Sequence, residues 1–205
     1  MTKTLIVHYT PRGERSSTLK LLKGFQSHAK GEVEVLDLCE DTPAFLSPAN
    51  LPAYFKRDYM GEKLSAPEAE TLAGFDRHIS MMKKADVVVL AYPMYNFSMP
   101  AMVKAWFDGI LLKGHTWNMN EKGYVGLLPG KKAVIISTSG AEYSGSPMSS
   151  MEHSLSLAKA LFGFMGFTPV EVVSAEGINS KPHKKDETLD AAAARLAQIA
   201  KDWNC

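Results

Sequence analysis

Three stretches of the chain carry residue types that could do chemistry. "TPRGERSST" (10–18) places the hydroxyls of Thr10, Ser16, Ser17 and Thr18, a glycine and two arginines just ahead of a segment with helical apolar spacing. The first N–H groups of a helix lack partners and its dipole favours an anion, so hydroxyls there can add bonds to phosphate oxygens. Arg12 and Arg15 could neutralise such a charge. Ser16 alone reads equally as a helix cap, and the arginines as solvated loop charges. "AYPMYNFSMP" (91–100) uses two prolines, two tyrosines, an asparagine and a phenylalanine, where a plain connection needs one or two turn residues. Met94, Tyr95, Asn96 and Phe97 offer aromatic surface, an amide and backbone donors, which suit a planar heteroaromatic ring with polar edges. Core packing plus a turn is the alternative. In "STSGAEYSGSP" (137–147), Thr138, Ser139, Gly140 and Ala141 are small enough for a ligand to approach the backbone, although Gly and Ser also make ordinary turns.

These stretches need a scaffold, and the hydrophobic pattern supplies one. Leu5-Ile6-Val7, Val33–Leu38, Val87–Leu90, Val134–Ile136 and Val170–Val173 read as five strands. Helical stripes separate them: Leu19, Leu22 and Phe25 within 16–30, Leu72 to Met82, and Val103, Phe107 and Ile110 behind Pro100 at a first helical position. Leu155–Phe164, ended by Gly166, and Leu189 to Trp203 complete the set. Alternating strands and helices imply a parallel sheet covered on both faces. The expected architecture is α/β: a flavodoxin-like doubly wound five-stranded parallel sheet, order 2-1-3-4-5, with helices on both faces, in one domain over 1–205. Ligands of such sheets bind beyond the carboxyl ends of the strands, where all three chemical stretches fall.

Two segments exceed a bare βα unit: 40–66, rich in proline and aromatics, and 113–130, with Trp117 and Tyr124. Long aromatic excursions of this kind are expected to be functional. Asn50, Leu51, Tyr54, Phe55 and Tyr59, together with Trp106 and Phe107, are expected to form an apolar subunit interface. The 23 basic and 22 acidic side chains leave a formal charge of +1, so nothing in the balance points to nucleic acid or a membrane surface. Cys39 and Cys205 form no C-x-x-C pair and the six histidines no H-x-x-x-H spacing, so neither a metal nor a disulfide framework is implied. No apolar run could span a membrane, and a soluble protein of the reducing cytoplasm is expected. His115 and His153 fall near the presumptive ligand loops, where imidazoles could donate protons.

The chain resembles the flavodoxin-like NAD(P)H quinone reductase and FMN-dependent NADH-azoreductase family. The likeness rests on "PMYNF" (93–97), the hydroxyls at 16–18, "KAWFDGILLKGHTW" (104–117), "GKKAVIISTSG" (130–140), "LFGFMGF" (161–167) and "AEGI" (175–178), and covers nearly the whole chain. It implies that Thr10, Ser16, Ser17 and Thr18 hold the FMN phosphate. Met94, Tyr95, Asn96 and Phe97 would lie along one edge of the isoalloxazine, and Thr138, Ser139, Gly140 and Ala141 along the other. It further implies NADH or NADPH as hydride donor, a quinone or azo compound as acceptor, and pocket positions at His115, Met119 and Phe164. Family members are homodimers with pockets at the subunit boundary. Ser139-Gly140-Ala141 stands where the family often has Arg-Gly-Gly, and Met119 where it often has an aromatic, which leaves acceptor preference open. An FMN reductase and a non-catalytic FMN-binding electron carrier are the alternatives. The near-neutral charge counts against the carrier, and phosphoester hydrolysis lacks the clustered metal ligands it needs.

Overall fold

The computed structural model describes residues 1–205. In chain order its elements are β1 (Lys3–His8), α1 (Ser17–His28), β2 (Glu32–Asp37), α2 (Leu51–Asp58), α3 (Ala66–Lys84), β3 (Val87–Pro93), α4 (Ala101–Ile110), β4 (Trp117–Asn120), β5 (Gly123–Gly126), β6 (Lys132–Thr138), α5 (Leu155–Phe164), β7 (Val170–Ala175) and α6 (Lys185–Trp203). The main sheet runs β2-β1-β3-β6-β7, with every pair parallel. That is the expected 2-1-3-4-5 order, renumbered because an antiparallel hairpin, β4–β5, intervenes in the chain.

Strand alternation divides the core between two faces. Leu5, Val7, Val88, Leu90 and Ile135 share a cluster of 27 buried residues with Phe75 and Met82 of α3, Val103 and Phe107 of α4, and Phe162 of α5. Ile6, Val89, Val134 and Ile136 share the smaller cluster of 16 with Leu22 and Phe25 of α1 and Leu196 and Ile199 of α6. Four helices, α2 to α5, feed the larger cluster and two, α1 and α6, the smaller, which accounts for the inequality. Trp106 and Phe107 belong wholly to the larger core, at 1% and 0% exposure, so they supply no interface. Their rings pack at a tilt with centroids 5.0 Å apart, and the Phe107 ring lies 5.3 Å from that of Phe162.

Local signals set the ends of the elements. α3 extends beyond its apolar stripe because Ser65 and Glu68 form a reciprocal capping box at its start. Pro100 is the residue before α4 rather than its first turn, and Ser16 the cap before α1. The excursion 40–66 contains α2, and the excursion 113–130 contains the hairpin. That hairpin is rooted on the open end of α4, where Thr116 Oγ1 donates to Ile110 O (2.7 Å) and Trp117 Nε1 to Leu111 O (3.0 Å). It also presses against the end of α5. A side chain at Gly126 would stand 2.3 Å from the Met165 carbonyl carbon, so only glycine permits this approach.

Candidate functional site

The carboxyl ends of β1, β3, β6 and β7 continue their pairing for one more residue. Tyr9 N–H donates to Ala91 O, Met94 N–H to Thr138 O and Ser139 N–H to Ala175 O, at 2.9–3.0 Å. Beyond these bonds the loops diverge and enclose an open cleft of about 570 Å³.

The first wall is the start of α1. Ser16 caps the helix by accepting from Leu19 N–H at 3.2 Å. The N–H groups of Ser17 and Thr18 find no acceptor within the chain, and no acidic residue lies in the first turn. Pro11, Arg12, Ser16 and Ser17 line the cleft. Thr10 and Thr18, grouped with them in sequence, are buried behind it. Thr18 Oγ1 lies 2.8 Å from Thr138 Oγ1 and ties α1 to the end of β6. Thr10 Oγ1 lies 3.2 Å from His8 Nδ1, and the Thr10 carbonyl accepts from Gly13 N–H at 2.9 Å. Burial holds the His8 imidazole below its ordinary pKa against the opposing pull of Asp37.

The second wall is the turn after β3. Tyr95 and Ser98 exchange N–H···O bonds at 2.9 and 3.0 Å around Asn96 and Phe97, whose φ angles are +47° and +70°. Two successive positive φ values make a primed hairpin turn that normally takes Asn-Gly. Asparagine tolerates it; phenylalanine stores strain of order 1 kcal/mol, a feature that clusters at functional sites. His153 N–H holds the turn by donating to Phe97 O at 3.0 Å, and the Phe97 ring meets Tyr143 edge-on at 6.4 Å. The N–H groups of Met94 and Tyr95 are therefore occupied, while those of Asn96 and Phe97 have no partner in the chain. Pro93, Met94 and Tyr95 line the cleft, and Tyr95 and Asn96 continue into an adjoining apolar groove with Met99, Pro100 and Leu157.

Thr138, Ser139 and Gly140 form the third wall. The N–H groups of Gly140 and Ala141 have no acceptor in the chain, whereas the Gly140 carbonyl accepts from Asn179 and Ser180. A side chain at Gly140 would stand 2.8 Å from Asn179 Nδ2, so glycine keeps the two loops in register. Glu176 holds the same loop by accepting from Tyr143 N–H, Ser144 N–H and Ser144 Oγ–H at 2.7–2.8 Å. Ile178 and Asn179 complete the lining. Neither was expected from sequence, although the loop after β7 leaves the same edge of the sheet as the other three.

Three positions expected near the pocket lie elsewhere in this chain. His115 Nε2 is 3.2 Å from Asp58 Oδ1 and 3.2 Å from Arg57 Nη2. Arg57 also forks onto Asp58 and reaches Asp76 at 2.8 Å, so the imidazole belongs to an ionic clasp joining α2 and α3 to the root of the hairpin. Met119 stands on the hairpin at 61% exposure, and Phe164 at the end of α5 packs against Trp117 and Tyr124, with rings 5.6 and 5.7 Å away. No group of three or more His, Cys, Asp or Glu side chains is placed to hold a metal ion.

The free N–H groups at a helix start suit a phosphate, and the unpaired N–H groups of Asn96, Phe97, Gly140 and Ala141 near the open cleft suit a ring with polar edges such as isoalloxazine. The fold and site thus define a doubly wound α/β protein with a crevice for a phosphorylated planar ligand. The family model described as a flavodoxin-like fold matches residues 2–200. An FMN-dependent NADH:quinone oxidoreductase of Azospirillum brasilense is 35% identical, covering 97% of each chain, and its counterpart in Laribacter hongkongensis is 35% identical over 90% of this chain and 91% of its own. The crystal structure of an azoreductase from Bacillus anthracis superposes with a TM-score of 0.91 at 28% identity, covering 98% of this chain and 100% of that one. An FMN-dependent NADH-azoreductase of Bacillus anthracis, solved with FMN, gives 0.90 at 26% identity over both full lengths. The chain belongs to this flavodoxin-like family of FMN-dependent NADH:quinone oxidoreductases and azoreductases.

Proposed function

We propose that the chain is an FMN-dependent NADH oxidoreductase that passes two electrons to quinones or azo compounds, with residues 1–205 acting as one flavin-binding domain. The observation that carries this reading is the convergence, on one edge of the sheet, of unpaired N–H groups at Ser17 and Thr18 with those of Asn96, Phe97, Gly140 and Ala141. Ser16 and Ser17 would hold the phosphate. Met94 to Phe97 and Thr138 to Ala141 would flank the ring, and Thr10 and Thr18 would brace the walls. FMN, when bound there, supplies hydride acceptance from the nicotinamide and two-electron delivery to the acceptor, chemistry no side chain of the cleft could perform. The protein orients the ring, and its outward N–H dipoles favour negative charge along the ring edge without reorganisation.

We infer that donor and acceptor take turns in this cleft. With the FMN-loaded protein, rates against NADH at several fixed quinone concentrations should give parallel double-reciprocal lines. Lines converging to the left would overturn the shared cleft, and failure of NADH to drive quinone reduction would overturn the activity.

We also propose a cytoplasmic homodimer. No helix is long and apolar enough to cross a membrane, and both cysteines are free thiols. Tyr124, Met119 and Phe164 on the hairpin side, Phe55 on α2 and Tyr59 just after it leave apolar surface uncovered that a second copy would bury. Light scattering tests this: a fully active species of 22.5 kDa, the mass of one chain, would exclude a dimer with shared pockets.

A further inference from the structure

We propose, on the basis of the flavin reading above, that Tyr92 is a positioning residue. Through Ser154 and His153 it holds the Tyr95–Ser98 turn in its left-handed form and so raises the midpoint potential of bound FMN. Tyr92 and Ser154 are both fully buried. The Tyr92 hydroxyl donates to Ser154 O at 3.3 Å and accepts from Ser154 Oγ at 3.3 Å, and it has no other partner in the chain. One residue back, His153 grips the turn. Its N–H donates to Phe97 O at 3.0 Å, and its carbonyl accepts from Ser98 Oγ at 3.4 Å. Glu152 stiffens the segment by accepting from Ser154 N–H and Leu155 N–H, each at 2.7 Å. Tyr92 itself belongs to β3, the strand from which the turn springs. The contacts therefore close a circuit from β3 through the turn, His153 and Ser154 back to β3.

The turn needs such a hold because Phe97, at φ +70°, occupies a region disfavoured for any residue with a side chain. Relaxation would re-aim the unpaired N–H groups of Asn96 and Phe97. Those dipoles favour negative charge on a ligand edge only while they are fixed in place. A held turn therefore binds reduced FMN more tightly, relative to oxidised FMN, than a loose one does. Burial raises the Tyr92 pKa, so the phenol is neutral at any working pH. Removing its hydroxyl thus changes no charge near the cleft.

The test reads the two-electron midpoint potential of the FMN-loaded full chain against redox dyes, and amide hydrogen exchange in the flavin-free chain. Tyr92→Phe should weaken binding of reduced relative to oxidised FMN about three- to tenfold, a potential about 15–30 mV more negative. The Tyr95 and Ser98 amides should exchange at least about tenfold faster. Tyr92→Phe also leaves Ser154 Oγ–H buried without its acceptor, which lowers Tm. Adding Ser154→Ala removes that orphan, and the Ser154 carbonyl, or its alanine successor, still accepts from Ala158 N–H. The double variant should therefore recover Tm while keeping the shifted potential. Leu196→Ala, in the core on the opposite face of the sheet, should lower Tm and leave the potential at its wild-type value. A wild-type potential in Tyr92→Phe or in the double variant overturns the proposal, as does an equal shift in Leu196→Ala. A wild-type chain that binds no FMN overturns instead the flavin reading on which the proposal rests.

Discussion

The turn Tyr95–Ser98 and the hairpin β4–β5 are both aromatic departures from the βα pattern, and they use their atoms in opposite ways. In the turn, the outer backbone groups are tied down, while left-handed Asn96 and Phe97 keep two N–H groups unpaired. In the hairpin the backbone is paired across Trp117–Gly126 and Asn120–Gly123, and it is the side chains that stand free, with Tyr124 at 68% exposure. Unpaired N–H groups call for a small polar edge, because each is costly to bury without an acceptor. Bare aromatic faces call for apolar surface, which another polypeptide supplies in quantity. On the reading proposed above, the turn would serve a cofactor and the hairpin a second copy.

The largest effect should come from the seating of the hairpin. Gly126→Ala puts a methyl into the backbone at Met165 and should cost about 1–3 kcal/mol, lowering Tm and weakening the proposed dimer. A wild-type Tm and mass would break the distinction, since the hairpin would then not depend on that approach.

A somewhat smaller effect separates cleft-facing from bracing hydroxyls. Thr18→Val leaves Thr138 Oγ1 without its 2.8 Å partner and should cost about 1–2 kcal/mol of stability by denaturant titration. Ser17→Ala should instead weaken FMN binding with little change in stability. The reverse assignment of effects would show that Thr18, not Ser17, faces the ligand.

Next comes the pH response of α3. His78 is buried, with Nε2 unpaired and 3.5 Å from Asp41 Oδ2. Burial, aided by Arg77, lowers its pKa in spite of Asp41. The unfolded chain therefore binds the proton more readily, so stability is complete above about pH 6.5 and falls as pH drops toward the depressed folded value. One such proton contributes at most about 1.4 kcal/mol per pH unit. His78→Gln should flatten that limb between pH 7 and 5, whereas an unchanged slope would assign it to other groups, His8 first.

The smallest effect tests the turn itself. Asn96→Gly should shift stability by less than about 0.5 kcal/mol, because asparagine already tolerates positive φ. It should still lower FMN affinity severalfold by loosening a preorganised donor pair. Unchanged affinity would mean that the turn's rigidity contributes nothing to binding.

The segments that become sheet strands and long helices were legible in the chain because burial imposes periods of two and 3.6 on residues that are neighbours in sequence. The same pattern placed the loops 8–18, 91–100 and 137–150 at one edge, since parallel strands must all end on the same side. Tertiary structure alone decided which members of those loops line the cleft. Thr10 and Thr18 look like Ser16 and Ser17 in sequence, yet one turns to His8 and the other to Thr138. Trp106 and Phe107 look equally suited to an interface or a core, and the neighbouring ring of Phe162 settles them in the core. His115 joins Asp58, distant in sequence, instead of the cleft. Except for the Thr10–His8 contact, each of these outcomes depends on a partner tens of residues away, and local spacing holds no record of that partner.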